Sequence, residues 1–240
     1  MLKKSQSILV LFLLILFYCL DFFFRLSPSL VVSQLQYQMG ANVMQIGGVA
    51  SSFYLGYIML QIPTGLLLDR FPARQLIPPF IIICTATFMI FIYCQQIWLA
   101  YCLRWLIGAT SAMSFLGVLH YARNEFDIRW FLPIIGLTIS FGTISASFIE
   151  VLCAYLFYYY SWQSVFLFFS SWGLTVALTL IFIMPNNKPE SIVKPKVSIN
   201  KASLSKVMSL DLTINAVIGG LFYLPTSLLA AMWGVPYMEQ

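Results

Sequence analysis

The chain has 240 residues, of which 60% are hydrophobic and only 9% charged, and its formal net charge is +5. A soluble domain typically carries about 25% charged residues, so this composition excludes a soluble core. The five cysteines all lie in apolar stretches without ligand spacing, and this argues against a disulfide framework, a metal site or another cofactor. The basic residues are spread over short polar breaks, which argues against a nucleic-acid partner.

Apolar runs divide the chain into segments long enough to cross a bilayer, which takes about 20 mainly apolar residues. The runs that reach this length are 8–32, 46–68, 76–95, 97–120, 131–158, 162–184 and 209–238. Prolines at 78, 79 and 133 are expected to mark the starts of the third and fifth spans. The sequence therefore predicts an all-α integral membrane protein with a six-helix bundle (1–184), a basic linker (185–208) and a seventh transmembrane helix (209–240).

Among the breaks between the runs, only alternate ones contain lysine or arginine. They precede the first run and fill the breaks after the second, fourth and sixth runs, whereas the break 33–45 contains none. Cytoplasmic loops of membrane proteins are enriched in these two residues. The N-terminus and the linker 185–208 are therefore predicted to be cytoplasmic.

Four charged residues lie inside the apolar runs: Asp21, Arg25, Arg104 and Glu150. Each costs roughly 2.5–3.5 kcal/mol at a helix centre, so each is expected to face the interior of the bundle. Asp21 and Arg25 are four residues apart and share one helix face. Two interpretations stay open: a polar binding site at bilayer depth, or buried ion pairs that only hold the helices together.

The second span has two distinct faces. Gly48 and Gly56 lie on a stripe of small residues suited to close helix contact. Tyr54, Tyr57 and Gln61 lie on the opposite side and form a polar-aromatic face. This face is suited either to lining a cavity or to packing.

The segment after the second span resembles the signature loop of the major facilitator superfamily, usually written G-x-L-x-D-R-x-G-R-R. The matching residues are Gly65, Asp69, Arg70 and Arg74. We expect Asp69 to form ion pairs with the neighbouring arginines or to cap a neighbouring helix. Arg104 with Gly108 looks like the family's fourth-helix motif R-x-x-x-G. The segment 233–237, W-G-V-P-Y, is similar to one in bacterial members related to lysosomal dipeptide transporters.

The resemblance implies twelve helices in two six-helix halves, each made of two three-helix inverted repeats, with a site between the halves near the midplane. It also implies a multi-pass protein of the bacterial inner membrane. The chain corresponds to the first half, the linker and one further helix. It is therefore expected to be a truncated form, or one part of a split transporter with a separate chain carrying the missing helices as its partner.

The function expected from this resemblance is secondary active transport of an amino acid, a short peptide or an organic anion, coupled to protons. Arg25 and Arg104 suit a substrate carboxylate, which arginine binds bidentately, with Tyr54, Tyr57 and Gln61 completing the site. Asp21 or Glu150 is expected to carry the proton. The alternative is a membrane fragment without transport activity. An enzyme is not expected, because the one histidine, His120, has no nucleophile or metal spacing around it.

Overall fold

The computed structural model describes residues 4–184 and the separate positions 214, 217, 218, 220 and 221, which are helical. The chain divides into two compact units, Met1–Lys188 and Pro189–Gln240. The predicted linker 185–208 and, apart from those five positions, the predicted seventh span lie outside the described residues. The same is true of the segment 233–237.

The first unit is built from helices, and its described residues form no strand. The helices are α1 (Lys4–Leu30), α2 (Val32–Met39), α3 (Val43–Arg70), α4 (Ala73–Ile92), α5 (Ile97–Glu125), α6 (Ile128–Tyr159) and α7 (Trp162–Ile183). All except α2 are long and apolar enough to cross a membrane. The predicted all-α membrane class and the first six predicted spans are therefore confirmed.

The helices extend beyond the apolar runs that predicted them. α4 begins at Ala73 and α6 at Ile128, so Pro78 and Pro133 lie inside these helices, as does Pro79. The prediction that these prolines mark helix starts is wrong. A proline at this depth frees the carbonyl of the residue four positions earlier, which here lies near the polar end of the helix.

A short helix, α2, was not predicted and occupies much of the break 33–45. Its Leu35 is buried, and the helix ends at Gly40, which has a φ of 60° in the left-handed region that favours glycine. The side-chain amide of Gln38 donates to the carbonyl oxygens of Ile92 at 3.1 Å and Cys94 at 2.7 Å. α2 thereby satisfies carbonyl groups at the end of α4 that have no partner within that helix.

The helix packing has the symmetry of an internal repeat. α3 packs most extensively on α5, and α6 packs on α1; α4 packs on α5 and α7, and α7 also packs on α1. If α1, α3 and α4 are exchanged with α5, α6 and α7, in that order, the set of helix contacts stays the same. Because each set contains three spans, an odd number, the two sets cross the membrane in opposite directions. This arrangement fits the two inverted three-helix repeats.

The contact between α3 and α5 depends on glycine. A Cβ atom at Gly56 would overlap the carbonyl oxygen of Trp105, and one at Gly108 would overlap the carbonyl oxygen of Phe53. Only glycine allows the two backbones to approach this closely. The small-residue stripe predicted on the second span therefore lies at a helix contact.

Candidate functional site

The centre of the site is an ion pair on one face of α1. Nη2 of Arg25 lies 3.4 Å from Oδ2 of Asp21, and the two side chains are 9% and 0% exposed. The hydroxyl of Ser114 on α5 lies 3.2 Å from the same carboxylate oxygen. Asp21 is thus enclosed between α1 and α5, whereas Arg25 reaches towards the surface of the bundle. Asp21 and Arg25 were predicted to share one helix face, and in the structure their side chains are in direct contact.

Aromatic rings from two helices surround the Arg25 guanidinium. The ring centroids of Phe22, Phe53, Tyr54 and Tyr57 lie 5.0, 5.5, 6.0 and 5.2 Å from its Cζ atom. These are distances at which a cation is attracted to an aromatic ring. The structure therefore brings the predicted residues Tyr54 and Tyr57 together with Arg25. We call this group of four rings and one cation the Arg25 pocket.

Arg104 has a different environment from the one expected for a substrate ligand. Its side chain is fully buried. Nη1 donates to the carbonyl oxygen of Phe24 at 2.6 Å and lies 3.4 Å from the hydroxyl of Ser27, and Nη2 donates to the carbonyl oxygen of Arg25 at 3.2 Å. The guanidinium of Arg104 is thus hydrogen-bonded to the backbone of α1, and it shares the Phe53 ring with the Arg25 pocket.

Glu150 and Gln61 lie apart from these contacts. Glu150 is partly buried on α6 and makes no hydrogen bond or ion pair with the residues that the structure describes. It shares a helix face with the exposed hydroxyl residues Ser140 and Ser147. Gln61 is partly buried and follows Tyr57 by one turn of α3. The structure therefore does not join either residue to the Arg25–Asp21 pair.

The signature loop lies at the junction of α3 and α4. Asp69 and Arg70 are exposed, whereas Gly65 and Arg74 are partly buried. Within residues 4–184, Asp69 forms no ion pair shorter than 4.0 Å with an arginine, and it caps no helix. Its carboxylate interacts electrostatically with His120 on α5. The expected pairing of Asp69 with Arg70 or Arg74 is not made.

Ser111, Ser114 and Phe53 contribute to this site but were not predicted. Ser111 and Ser114 follow Arg104 by seven and ten residues, so the three lie on one helix face. That spacing is a signal by which the two serines could have been found. Phe53 offers no such signal, because its place between α1 and α5 follows from the glycine contact.

Comparison with known proteins identifies the family. The family model of the Major Facilitator Superfamily matches residues 11–238, nearly the whole chain. The chain belongs to this superfamily. Its members are transporters rather than enzymes, and the helices described above agree with a multi-pass membrane protein.

Three curated relatives carry transporter names. The chain is 26% identical over 216 residues to "Probable galactarate/D-glucarate transporter GudP" of Bacillus subtilis (strain 168), an alignment covering 85% of the chain and 45% of the relative. It is 28% identical over 176 residues to "Uncharacterized transporter YybO" of the same organism, covering 71% and 39%. It is 26% identical over 186 residues to a "Quinolone resistance transporter" of Acinetobacter baumannii, covering 68% and 43%. The chain thus spans less than half the length of these relatives.

Proposed function

We propose that this chain provides the first half of a secondary active transporter for a small organic anion, and that Arg25 binds a carboxylate of the substrate. The observation that carries this proposal is the Arg25 pocket: a largely buried cation inside a spanning helix, beside the aromatic rings of Tyr54 and Tyr57. Placing a charge there is costly, so intramembrane charges tend to be kept for function. The name of one relative, a galactarate/D-glucarate transporter, supports an organic acid over a peptide.

Proton coupling is the second part of the proposal. Asp21 contacts Arg25 directly, so a proton taken up by Asp21 would weaken that ion pair and change how strongly Arg25 attracts an anion. Glu150 is the other candidate carrier, because its carboxylate makes no polar contact within residues 4–184. The distribution of Lys and Arg supports a cytoplasmic N-terminus. The bacterial origin of the three relatives supports a bacterial inner membrane.

The test is uptake by proteoliposomes that contain the purified chain, with and without an imposed pH gradient. The labelled substrates are galactarate, D-glucarate and the zwitterionic dipeptide Ala-Ala. Once the second half of a relative is added to the liposomes as a separate chain, we expect uptake of the two organic acids, with a dependence on the gradient that is lost in Asp21→Asn or in Glu150→Gln. Uptake of the dipeptide alone would contradict the proposed substrate class. Uptake that ignores the gradient would contradict proton coupling.

We expect no uptake by the purified chain alone, because in the family arrangement of two six-helix halves the site lies between the halves. The alternative is a membrane fragment without transport activity. Liposomes with and without the added second half distinguish the two cases, because such a fragment would give no uptake in either. Uptake that appears only after this addition would support a split transporter.

A further inference from the structure

Pro28 leaves one carbonyl of α1 without its usual donor. The proline lies inside α1, and its ring nitrogen carries no hydrogen for the carbonyl oxygen of Phe24, four residues earlier. A buried carbonyl without a donor costs about as much free energy as a lost hydrogen bond. In this structure the Phe24 oxygen accepts a hydrogen bond of 2.6 Å from Nη1 of Arg104 instead. A side chain of α5 thus supplies the donor that α1 lacks.

The rest of the Arg104 side chain fits the same role. Nη2 donates to the carbonyl oxygen of Arg25 at 3.2 Å, so one guanidinium binds two consecutive carbonyls of α1. The rings of Phe53 and Phe91, with centroids 5.0 and 5.6 Å from its Cζ atom, cover the guanidinium. No carboxylate of the described residues lies within 4.0 Å of Arg104. A positive charge near the C-terminal end of α1 is also favoured by the helix dipole.

We propose that Arg104 is a positioning residue. Its hydrogen bonds to the carbonyl oxygens of Phe24 and Arg25, which we call the brace, hold the proline-containing turn of α1 in place and so fix the backbone from which Arg25 enters its pocket. Arg104 does not touch the substrate. The role in positioning rests on the proposed function, in which Arg25 binds the carboxylate. The brace itself rests on the contacts of Arg104 with Phe24 and Arg25 and can be tested without a substrate.

A double-mutant cycle between Arg104 and Pro28 tests the brace. In Pro28→Ala the backbone regains an N–H that can donate to Phe24, so this change should make Arg104 less necessary. We expect Arg104→Leu to lower the Tm of the purified chain in detergent by more than about 5 °C. Pro28→Ala alone should shift the Tm by less than about 2 °C, and the double variant should recover at least half of the loss.

The matched control is Pro63, which also lies inside a helix, α3, whereas the hydrogen bonds of Arg104 go to Phe24, Ser27 and Arg25 on α1. Adding Pro63→Ala to Arg104→Leu should recover nothing. Equal recovery from both prolines, or recovery from neither, would overturn the brace. If Arg104→Leu does not fold, adding Pro28→Ala should restore folded protein, whereas adding Pro63→Ala should not. If the two prolines do not differ in this way, the proposal is also overturned.

Two further measurements test positioning. Hydrogen–deuterium exchange of the amides at 22–30 should rise about tenfold in Arg104→Leu and return towards wild type in the double variant with Pro28→Ala; unchanged exchange would refute the proposal. The Kd for galactarate should rise at least tenfold in Arg104→Leu, less in Arg104→Lys, and recover with Pro28→Ala. If Arg104→Leu lowers the Tm but leaves the Kd normal, Arg104 stabilises the fold without positioning Arg25. If the wild-type chain binds no galactarate, the proposed substrate is wrong, and the exchange and Tm results still decide the brace.

Discussion

Gly56 on α3 lies directly against the backbone carbonyl of Trp105 on α5, with no space for a Cβ atom between them. The reciprocal contact, Gly108 against the carbonyl of Phe53, makes the approach close on both helices. Contacts of this kind allow weak Cα–H···O hydrogen bonds between helices. They also place the Phe53 ring beside Arg25, because this ring projects from α3 at the closest point. A change in the spacing of α3 and α5 would therefore also move the Phe53 ring relative to Arg25.

The first prediction concerns these two glycines. Gly56→Ala or Gly108→Ala should push α3 and α5 apart, since the added methyl group meets backbone rather than a movable side chain. Overpacking of this kind costs about 1–3 kcal/mol, of which alanine's better helix propensity offsets up to about 1 kcal/mol. The measurement is the Tm of the purified variants in detergent. The double variant should lose less than the sum of the two single losses, because one separation relieves both contacts.

The controls for this prediction are Gly65→Ala and Gly136→Ala. A Cβ atom at either position meets nothing within 4 Å. Both glycines lie inside helices, so alanine should leave the Tm unchanged or raise it. A loss at Gly65 or Gly136 equal to that at Gly56 would show that the close contact is not the cause.

Much of the fold follows from features that are local in the sequence. Apolar runs of bilayer length predicted seven spans, and the first six correspond to the six long helices within residues 4–184, whereas most of the seventh lies outside the described residues. The pairing of Asp21 with Arg25 was predictable because a spacing of four residues fixes the neighbours on one helix. Tyr54 and Tyr57 are three residues apart, so the same periodicity placed them on one face of α3.

The environment of Arg104 was not predictable from the sequence. Two arginines at similar depth suggested one binding site, but the partner of Arg104 is a backbone carbonyl freed by Pro28 on another helix. Such a contact depends on the rotation of α1 relative to α5, which no periodicity within one helix specifies. The short helix α2 was missed for a related reason, because its stability comes from Leu35 and from the contacts of Gln38 with the end of α4.

The second prediction concerns Gln38, whose amide caps the end of α4. Gln38→Met keeps the size and removes both hydrogen bonds to Ile92 and Cys94. We expect the free energy of unfolding to fall by about 1 kcal/mol per hydrogen bond, and hydrogen exchange at residues 90–96 to become faster. Gln34→Met is the control, since Gln34 lies exposed on the same short helix. Equal exchange at 90–96 in both variants would argue against the cap.

The third prediction concerns Ser114, which lies 2.7 Å from the carbonyl of Ser111 and 3.2 Å from Asp21. Ser114→Ala removes a donor from a fully buried carboxylate, so we expect the free energy of unfolding to fall by about 1–3 kcal/mol. In an Asp21→Leu background the same change should cost much less. Ser170→Ala is the control, because its buried hydroxyl bonds only to the Phe166 carbonyl within α7. Additive losses of Ser114→Ala and Asp21→Leu would contradict the contact.

The fourth prediction concerns topology. Gln34 on α2, in the break between the first two spans, and Asn124 at the end of α5 are both exposed, and the spans predict that they lie on opposite sides of the membrane. In a Cys102→Ser background, which removes the exposed native thiol, Gln34→Cys should react with a membrane-impermeant maleimide in intact cells. Asn124→Cys should react only after permeabilisation, because arginines cluster on its side of the membrane. The reverse pattern would place the N-terminus outside.

The last prediction separates charge from geometry at Arg25. Arg25→Lys keeps the positive charge but loses the planar donors that bind a carboxylate bidentately, and Arg25→Gln loses the charge as well. We expect the Kd for galactarate to rise about 10-fold in Arg25→Lys and about 100-fold in Arg25→Gln, the range given by one or two charged hydrogen bonds. Tyr57→Phe is the control for the surrounding ring, since it keeps the aromatic face near Arg25 and removes only the hydroxyl. It should change the Kd by less than the lysine variant does. Equal affinities of the lysine, glutamine and wild-type proteins would show that Arg25 only pairs with Asp21 and that the anion binds elsewhere.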